Sequence, residues 1–146
     1  MFDDPDRASP DHSTLLGILA RADGARLAAF AETLLPALGD VEVIQSRTGL
    51  VMLPMRDTVQ GTDFHLGEVL VAEAHIRAGD GTEGYGMVVG RDLTRAMAMA
   101  VVDACAARAP DPRIAAFLQA EAAAQAEADT ARLRDIEATR VDMETF

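Results

Sequence analysis

The sequence predicts an α+β fold, with N-terminal helices, a four-stranded and mainly antiparallel sheet, and C-terminal helices. Three stretches carry that expectation. Residues 64–77 and 82–91 are enriched in β-branched and long apolar side chains, and they flank Ala78-Gly79-Asp80-Gly81, a punctuation whose turn needs positive φ. They read as one long antiparallel hairpin. Directly after it, Asp92 can cap a helix in which Leu93, Met97, Ala100, Val101 and Ala104 recur at helical spacing, and such a helix would lie across the hairpin. From Arg113 to Arg140 the chain is dominated by Ala, Glu, Gln and Arg, the strongest helix formers.

The remaining elements follow in order. Residues 1–10 are polar with two prolines and are expected to be disordered or extended. Asp11 or Ser13 can cap a short helix holding Leu15, Leu16, Ile18 and Leu19. Gly17 in its middle weakens it by about 1 kcal/mol relative to Ala. Asp23-Gly24 breaks it, and a second helix follows with Leu27, Phe30, Ala31, Leu34, Leu35 and Leu38 on one stripe. Pro36 is expected to kink or end that helix, with Gly39 placed for a C-cap. Val41 to Gln45 reads as a short strand, Arg47-Thr48-Gly49 as a turn or bulge, and Leu50 to Met55 as a second strand. Pro54 cannot donate to a ladder, so its edge is free or the strand stops there. With the hairpin, these make the four strands.

Asp111 is placed as an N-cap with Pro112 at the first helical position. A continuous helix over 113–140 would span about 42 Å, whereas a compact domain of this size is only roughly 38 Å across. The helix must therefore break or project. Its large apolar residues lie at its two ends, Ile114, Phe117 and Leu118 at one and Leu133 and Ile136 at the other. An arm or helical hairpin packing against another subunit is expected, the plainer alternative being a helix laid on its own domain. The organisation read from the chain is a single domain over 11–146, with helices at 11–39, the sheet at 40–90, helices at 92–140 and a docking tail at 141–146.

Composition narrows the function classes. With 49% hydrophobic but only 4% aromatic residues, the core must rest on Leu, Val, Met and Ala. A net charge of -11 opposes nucleic acid and anionic membrane surfaces, both of which need a basic footprint. No apolar run approaches the ~20 residues of a membrane span. The acidic start lacks the basic and apolar regions of a signal peptide, and the lone Cys105 has no disulfide partner. A cytoplasmic protein with a buried, inert thiol is expected.

Candidate chemical groups are sparse. Gly84-x-Gly86-x-x-x-Gly90 has the wrong third spacing for a dinucleotide loop and falls inside a strand, so these glycines are expected to permit close approach of another backbone, or a bulge. His65, Glu68, Glu73 and His75 lack compact ligand spacing, and no metal site is assigned. Tyr85 and Arg91 suit contact with an anionic ligand, or plain salt-bridge and capping roles. No Ser/His/Asp or Cys/His set is visible, and no residue is assigned as catalytic.

Four motifs in sequence, Thr48-Gly49-Leu50-Val51-Met52, Leu66-Gly67-Glu68-Val69-Leu70-Val71, Gly84-Tyr85-Gly86-Met87-Val88-Val89-Gly90-Arg91-Asp92 and Ala138-Thr139-Arg140-Val141-Asp142, resemble the PhnG family of the bacterial carbon-phosphorus lyase pathway. The likeness covers residues 15–146. At the end Met143 and Phe146 stand where the family typically carries Phe and then Thr-Met, an apolar-for-apolar exchange.

The resemblance implies an accessory subunit of a cytoplasmic core complex with PhnI, PhnH and PhnJ, assisted by the ATPase-like PhnL. That complex replaces the adenine of ATP with an alkylphosphonate to give ribose 1-methylphosphonate 5-triphosphate. The resemblance leaves the nucleosidase-like step to PhnI and the radical iron-sulfur chemistry to PhnJ. ATP and alkylphosphonate are then substrates of the complex, with no cofactor in this chain. The resemblance and the apolar residues of the tail mark Arg140, Val141, Asp142, Met143 and Phe146 as docking residues for a PhnI-like subunit. Two rival readings stand beside it. One is a subunit lending His65, Glu68, Tyr85 or Arg91 to a shared catalytic site. The other is a stand-alone module that self-associates and binds a small molecule on the hairpin face.

Overall fold

Each of the four helices among the described residues begins on an aspartate. Asp11 accepts from the Thr14 amide at 2.7 Å, Asp23 from Arg26 at 2.9 Å, Asp92 from Arg95 at 2.9 Å and Asp111 from Arg113 at 2.8 Å. Each cap satisfies one of the orphan donors of a first helical turn. The computed structural model describes residues 10–141, ordered α1 (His12–Arg21), α2 (Gly24–Leu38), β1 (Val41–Arg56), β2 (Asp63–Ala78), β3 (Glu83–Val89), α3 (Leu93–Arg108) and α4 (Pro112–Ala138). Helix α2 continues through Pro36 to Leu38 and stops where Gly39 takes a φ of +69°. Its last carbonyls, of Ala37 and Leu38, accept from the Arg108 guanidinium.

The sheet has three antiparallel strands in the order β1-β2-β3, not four. The expected turn at Arg47-Thr48-Gly49 is continuous strand. The 16-residue β2 offers β1 a partner along its whole length, pairing Arg47 with Glu73, Thr48 with Ala72 and Gly49 with Val71. Gly49 needs no positive φ there. The irregularities fall elsewhere. Ile44 is an extra residue on β1, and Leu66 an extra residue on β2 beside Pro54. Strand β1 is an edge strand, which accommodates the missing donor of Pro54.

The β2–β3 hairpin forms where its turn chemistry places it. Asp80 accepts from the Thr82 amide at 3.0 Å, and Gly81 takes a φ of +89°. Helix α3 lies across β2 and β3 and is covered on its other side by α2. That explains why its buried residues run almost without gap from Ala96 to Ala104, while Leu93 is exposed. The approach is close enough that a Cβ at Gly84 would overlap the Ala100 carbonyl, and one at Gly86 the Ala96 carbonyl. Leu19, Leu27, Leu34, Ile76, Val88 and Val102 are the largest fully buried side chains.

Helix α4 is unbroken over 27 residues, about 40 Å at the usual rise. Its buried residues, Ile114, Leu118 and Glu121, lie in its first half, and Gln125 and Asp129 continue the contact with α1. Arg26 clamps the buried Glu121 carboxylate at 2.7 and 3.2 Å, which holds that carboxyl below its ordinary pKa. From residue 130 onward every described residue is exposed, Leu133 at 65% among them.

Candidate docking surface

Strand β3 is less than half the length of β2 and pairs only with its Val71 to Arg77 stretch. Beyond that point β1 and β2 continue alone for seven residues or so. Residues 50–56 and 63–70 thus form a two-stranded ribbon of about 23 Å at ~3.3 Å per residue. The loop at its tip is self-supporting. Asp57 accepts from the amides of Val59 and Gln60 at 3.1 and 2.9 Å, Gly61 supplies a φ of +68°, and Arg56 bonds Asp63 at 2.9 Å.

The register sorts the ribbon side chains into two faces. On one, Val51 opposes Val69, Leu53 opposes Gly67, and Met55 opposes Phe64, with no charged residue among them. On the other, Leu50 opposes Leu70 and Met52 opposes Glu68, and His65 lies opposite Pro54 beyond the bulge. Large apolar side chains are exposed on both faces, with Phe64 at 45% and Leu66 at 60%. A lone two-stranded ribbon is marginally stable in water, and a contiguous uncovered apolar surface marks an interaction site.

The candidates for a shared site are not brought together. His65 and Glu68 sit on the ribbon, exposed. Tyr85 lies at the base of the sheet on β3, roughly 30 Å along the strand direction from His65 at ~3.3 Å per residue. Its hydroxyl donates to Glu73 at 2.7 Å and its amide to the buried Asp103 at 2.9 Å. Burial, reinforced by Glu73, pushes the Tyr85 phenol up to about 12. The same bond, with Arg47 at 2.9 Å, holds the Glu73 carboxyl below its usual range. Arg91 is exposed at the entrance to α3. His75 bonds Glu83 at 3.3 Å, and no group of three metal-ligating side chains occurs among the described residues. Burial raises the thiol pKa of the half-buried Cys105.

Of the predicted tail, Arg140 bonds Glu137 at 3.1 Å and Val141 is 78% exposed. Asp142, Met143 and Phe146 lie outside the described residues, as do residues 1–9. Sequence reasoning missed the ribbon, because alternation of apolar residues looks the same in a covered and an uncovered strand. It also missed the His12–Asp103 contact at 2.7 Å, whose partners are 91 positions apart.

No helix among the described residues is long and apolar enough to cross a membrane. The fold and its surface define an α+β protein with two uncovered projections, the β1–β2 ribbon and the end of α4 beyond Arg132. The profile of a family described as "Phosphonate metabolism protein PhnG" matches residues 11–146, and the chain belongs to that family. Among curated relatives, it is similar to the alpha-D-ribose 1-methylphosphonate 5-triphosphate synthase subunit PhnG of Rhizobium meliloti (strain 1021). The two are 35% identical over 100 residues, which is 68% of this chain and 64% of that protein. A second relative, the putative C-P lyase subunit protein HtxH of Stutzerimonas stutzeri, is 33% identical over 103 residues. That match covers 62% of this chain and 28% of the relative. The matched segment therefore spans less than two thirds of either relative.

Proposed function

We propose that this chain is an accessory subunit of a cytoplasmic carbon-phosphorus lyase core complex, docking through its β1–β2 ribbon and supporting transfer of the ribose-triphosphate moiety of ATP to an alkylphosphonate. The observation that carries the docking role is the uncharged ribbon face of Val51, Leu53, Met55 and Phe64. A two-stranded ribbon with that composition gains its missing cover from another surface. Membership of the PhnG family and the subunit names of both relatives support the complex. PhnI-, PhnH- and PhnJ-like proteins are its proposed partners, with a PhnL-like protein acting alongside. ATP and alkylphosphonate are substrates of the whole assembly, and no cofactor is assigned to this chain.

Within this reading, His65 and Glu68 would be carried into the partner by the ribbon, so they are the members of the shared-site set best placed to meet a partner's active site. The tail from Arg140 to Phe146 is proposed as a second docking element beside the exposed end of α4. The test is co-expression with a PhnI-like protein, followed by light scattering on size exclusion and an assay of adenine release from ATP. The wild-type pair should elute as a hetero-complex, with release only in the joint sample. A Met55→Glu/Phe64→Glu double variant should remain folded and lose the complex. Full-yield co-purification of that variant sinks the ribbon interface. A homo-oligomer that ignores the PhnI-like protein sinks the subunit assignment itself.

A further inference from the structure

Every one of the 13 basic residues is an arginine. Most of those described are tied to a carboxylate, as in Arg26–Glu121, Arg47–Glu73 and Arg108–Asp80. Among the described residues Arg91, Arg95, Arg132 and Arg134 have no such partner, and two of these four, Arg95 and Arg132, line a cleft of about 730 Å³ at the β3 edge of the sheet, between α1, α3 and α4. Arg21 lines it too, held at 3.0 Å by Asp129. Three guanidiniums therefore face one carboxylate in a chain whose net charge is -11. Arg95 is fixed but unsatisfied. Its Nη2 donates to the Ala20 carbonyl at 2.7 Å, while its Nε is buried without a partner. A buried donor left unpaired is costly, and it signals a missing acceptor.

Gly17 is an independent observation. It sits in the interior of α1, where glycine weakens a helix, and it lines the same cleft. A Cβ built there meets nothing within 4 Å, so packing within the chain does not require the glycine. The space beside it belongs to the cleft. Met87, Val89 and Met99 add apolar wall, and Gln125 locks α4 to α1 by donating to the Ile18 carbonyl at 2.9 Å.

We infer that this cleft binds a small organic phosphate, with its dianionic group on Arg95 and Arg132, helped by Arg21, and its organic part on the methionine-lined wall beside Gly17. Guanidinium forks match tetrahedral oxyanions, and donors arriving from three helices suit a dianion better than a single carboxylate. The cleft meets β2 at Val71, seven residues along the strand from Phe64 near the ribbon tip, so its test does not depend on the Met55 and Phe64 contacts of the docking reading.

The experiment titrates phenyl phosphate into the full chain by calorimetry, with inorganic phosphate and benzoate as comparators. Phenyl phosphate should bind more tightly than either. Arg132→Gln, at an exposed position, should weaken it tenfold or more, and Arg134→Gln, two residues along α4 and outside the cleft, should leave it unchanged. Gly17→Leu should raise the melting temperature by restoring helix propensity and still abolish binding. The inference is overturned if phenyl phosphate does not bind, if inorganic phosphate or benzoate binds as well, or if Arg134→Gln weakens binding as much as Arg132→Gln. A folded Gly17→Leu that binds like wild type also overturns it.

Discussion

Strands β1 and β2 are one ladder with two fates. At its base, β2 presents Ala72, Ala74, Ile76 and Ala78 to α3, and all four are buried. Toward its tip the same two strands carry Leu, Met, Val and Phe, and those larger residues are exposed. The inversion is physical. Apart from Ile76 the β2 residues under α3 are small, as Gly84 and Gly86 are on β3, and a run of bulky ones lies where no element of this chain arrives. The run of large exposed side chains at the tip is the surface that the proposed partner would cover.

The comparison is broken or sharpened by substitutions at each end. Ile76→Ala, in the covered half, should cost about 4 kcal/mol of stability by removing buried methyl groups and leaving a cavity, read by denaturant unfolding. A loss under about 1 kcal/mol would mean that α3 does not seal the base.

A smaller effect is expected at the hairpin turn that fixes the covered half. Arg108 and the Thr82 amide hold the Asp80 carboxyl at about 2 against its ordinary 3.8. A depressed carboxylate contributes stability above the unfolded pKa and loses it as protons bind the folded form. The Asp80 contribution should therefore be complete above pH ~4 and vanish between pH ~4 and ~2. Asp80→Asn should be less stable at neutral pH and fall less steeply over that window in acid titration. An unchanged acid limb would show that the turn and α3 are not coupled through Arg108.

The smallest effect belongs to the ribbon. Leu50→Ala should alter the stability of the chain alone by no more than about 0.5 kcal/mol, since that side chain is 62% exposed and has little cover to lose. A cost of 2 kcal/mol or more would place the ribbon in a folded core, and the contrast between the two halves would collapse.

What the residues disclosed in advance follows the range of the interaction involved. Caps at Asp11, Asp92 and Asp111 and the Gly81 turn were legible because each closes within four residues. The close approach at Gly84 and Gly86 was legible because few other needs place two glycines in one strand. The extent of β1 was not legible, since Gly49 stops a strand only where pairing fails, and pairing depended on the length of β2. Nor was the burial of Glu121, whose partner Arg26 lies 95 positions away. The family resemblance was carried by local motifs, whereas the ribbon and the arginine cleft emerge only when distant segments are laid side by side.

The edge position of β1 has a bearing on how the chain avoids misassembly. Its outer backbone groups are open to a foreign strand, the usual seed of amyloid-like stacking. Ile44 bulges out of register and Pro54 has no amide hydrogen to offer, so templating can run without interruption only across residues 45–53. An invading strand is thus held to a short segment, while the apolar faces of the ribbon stay open above and below.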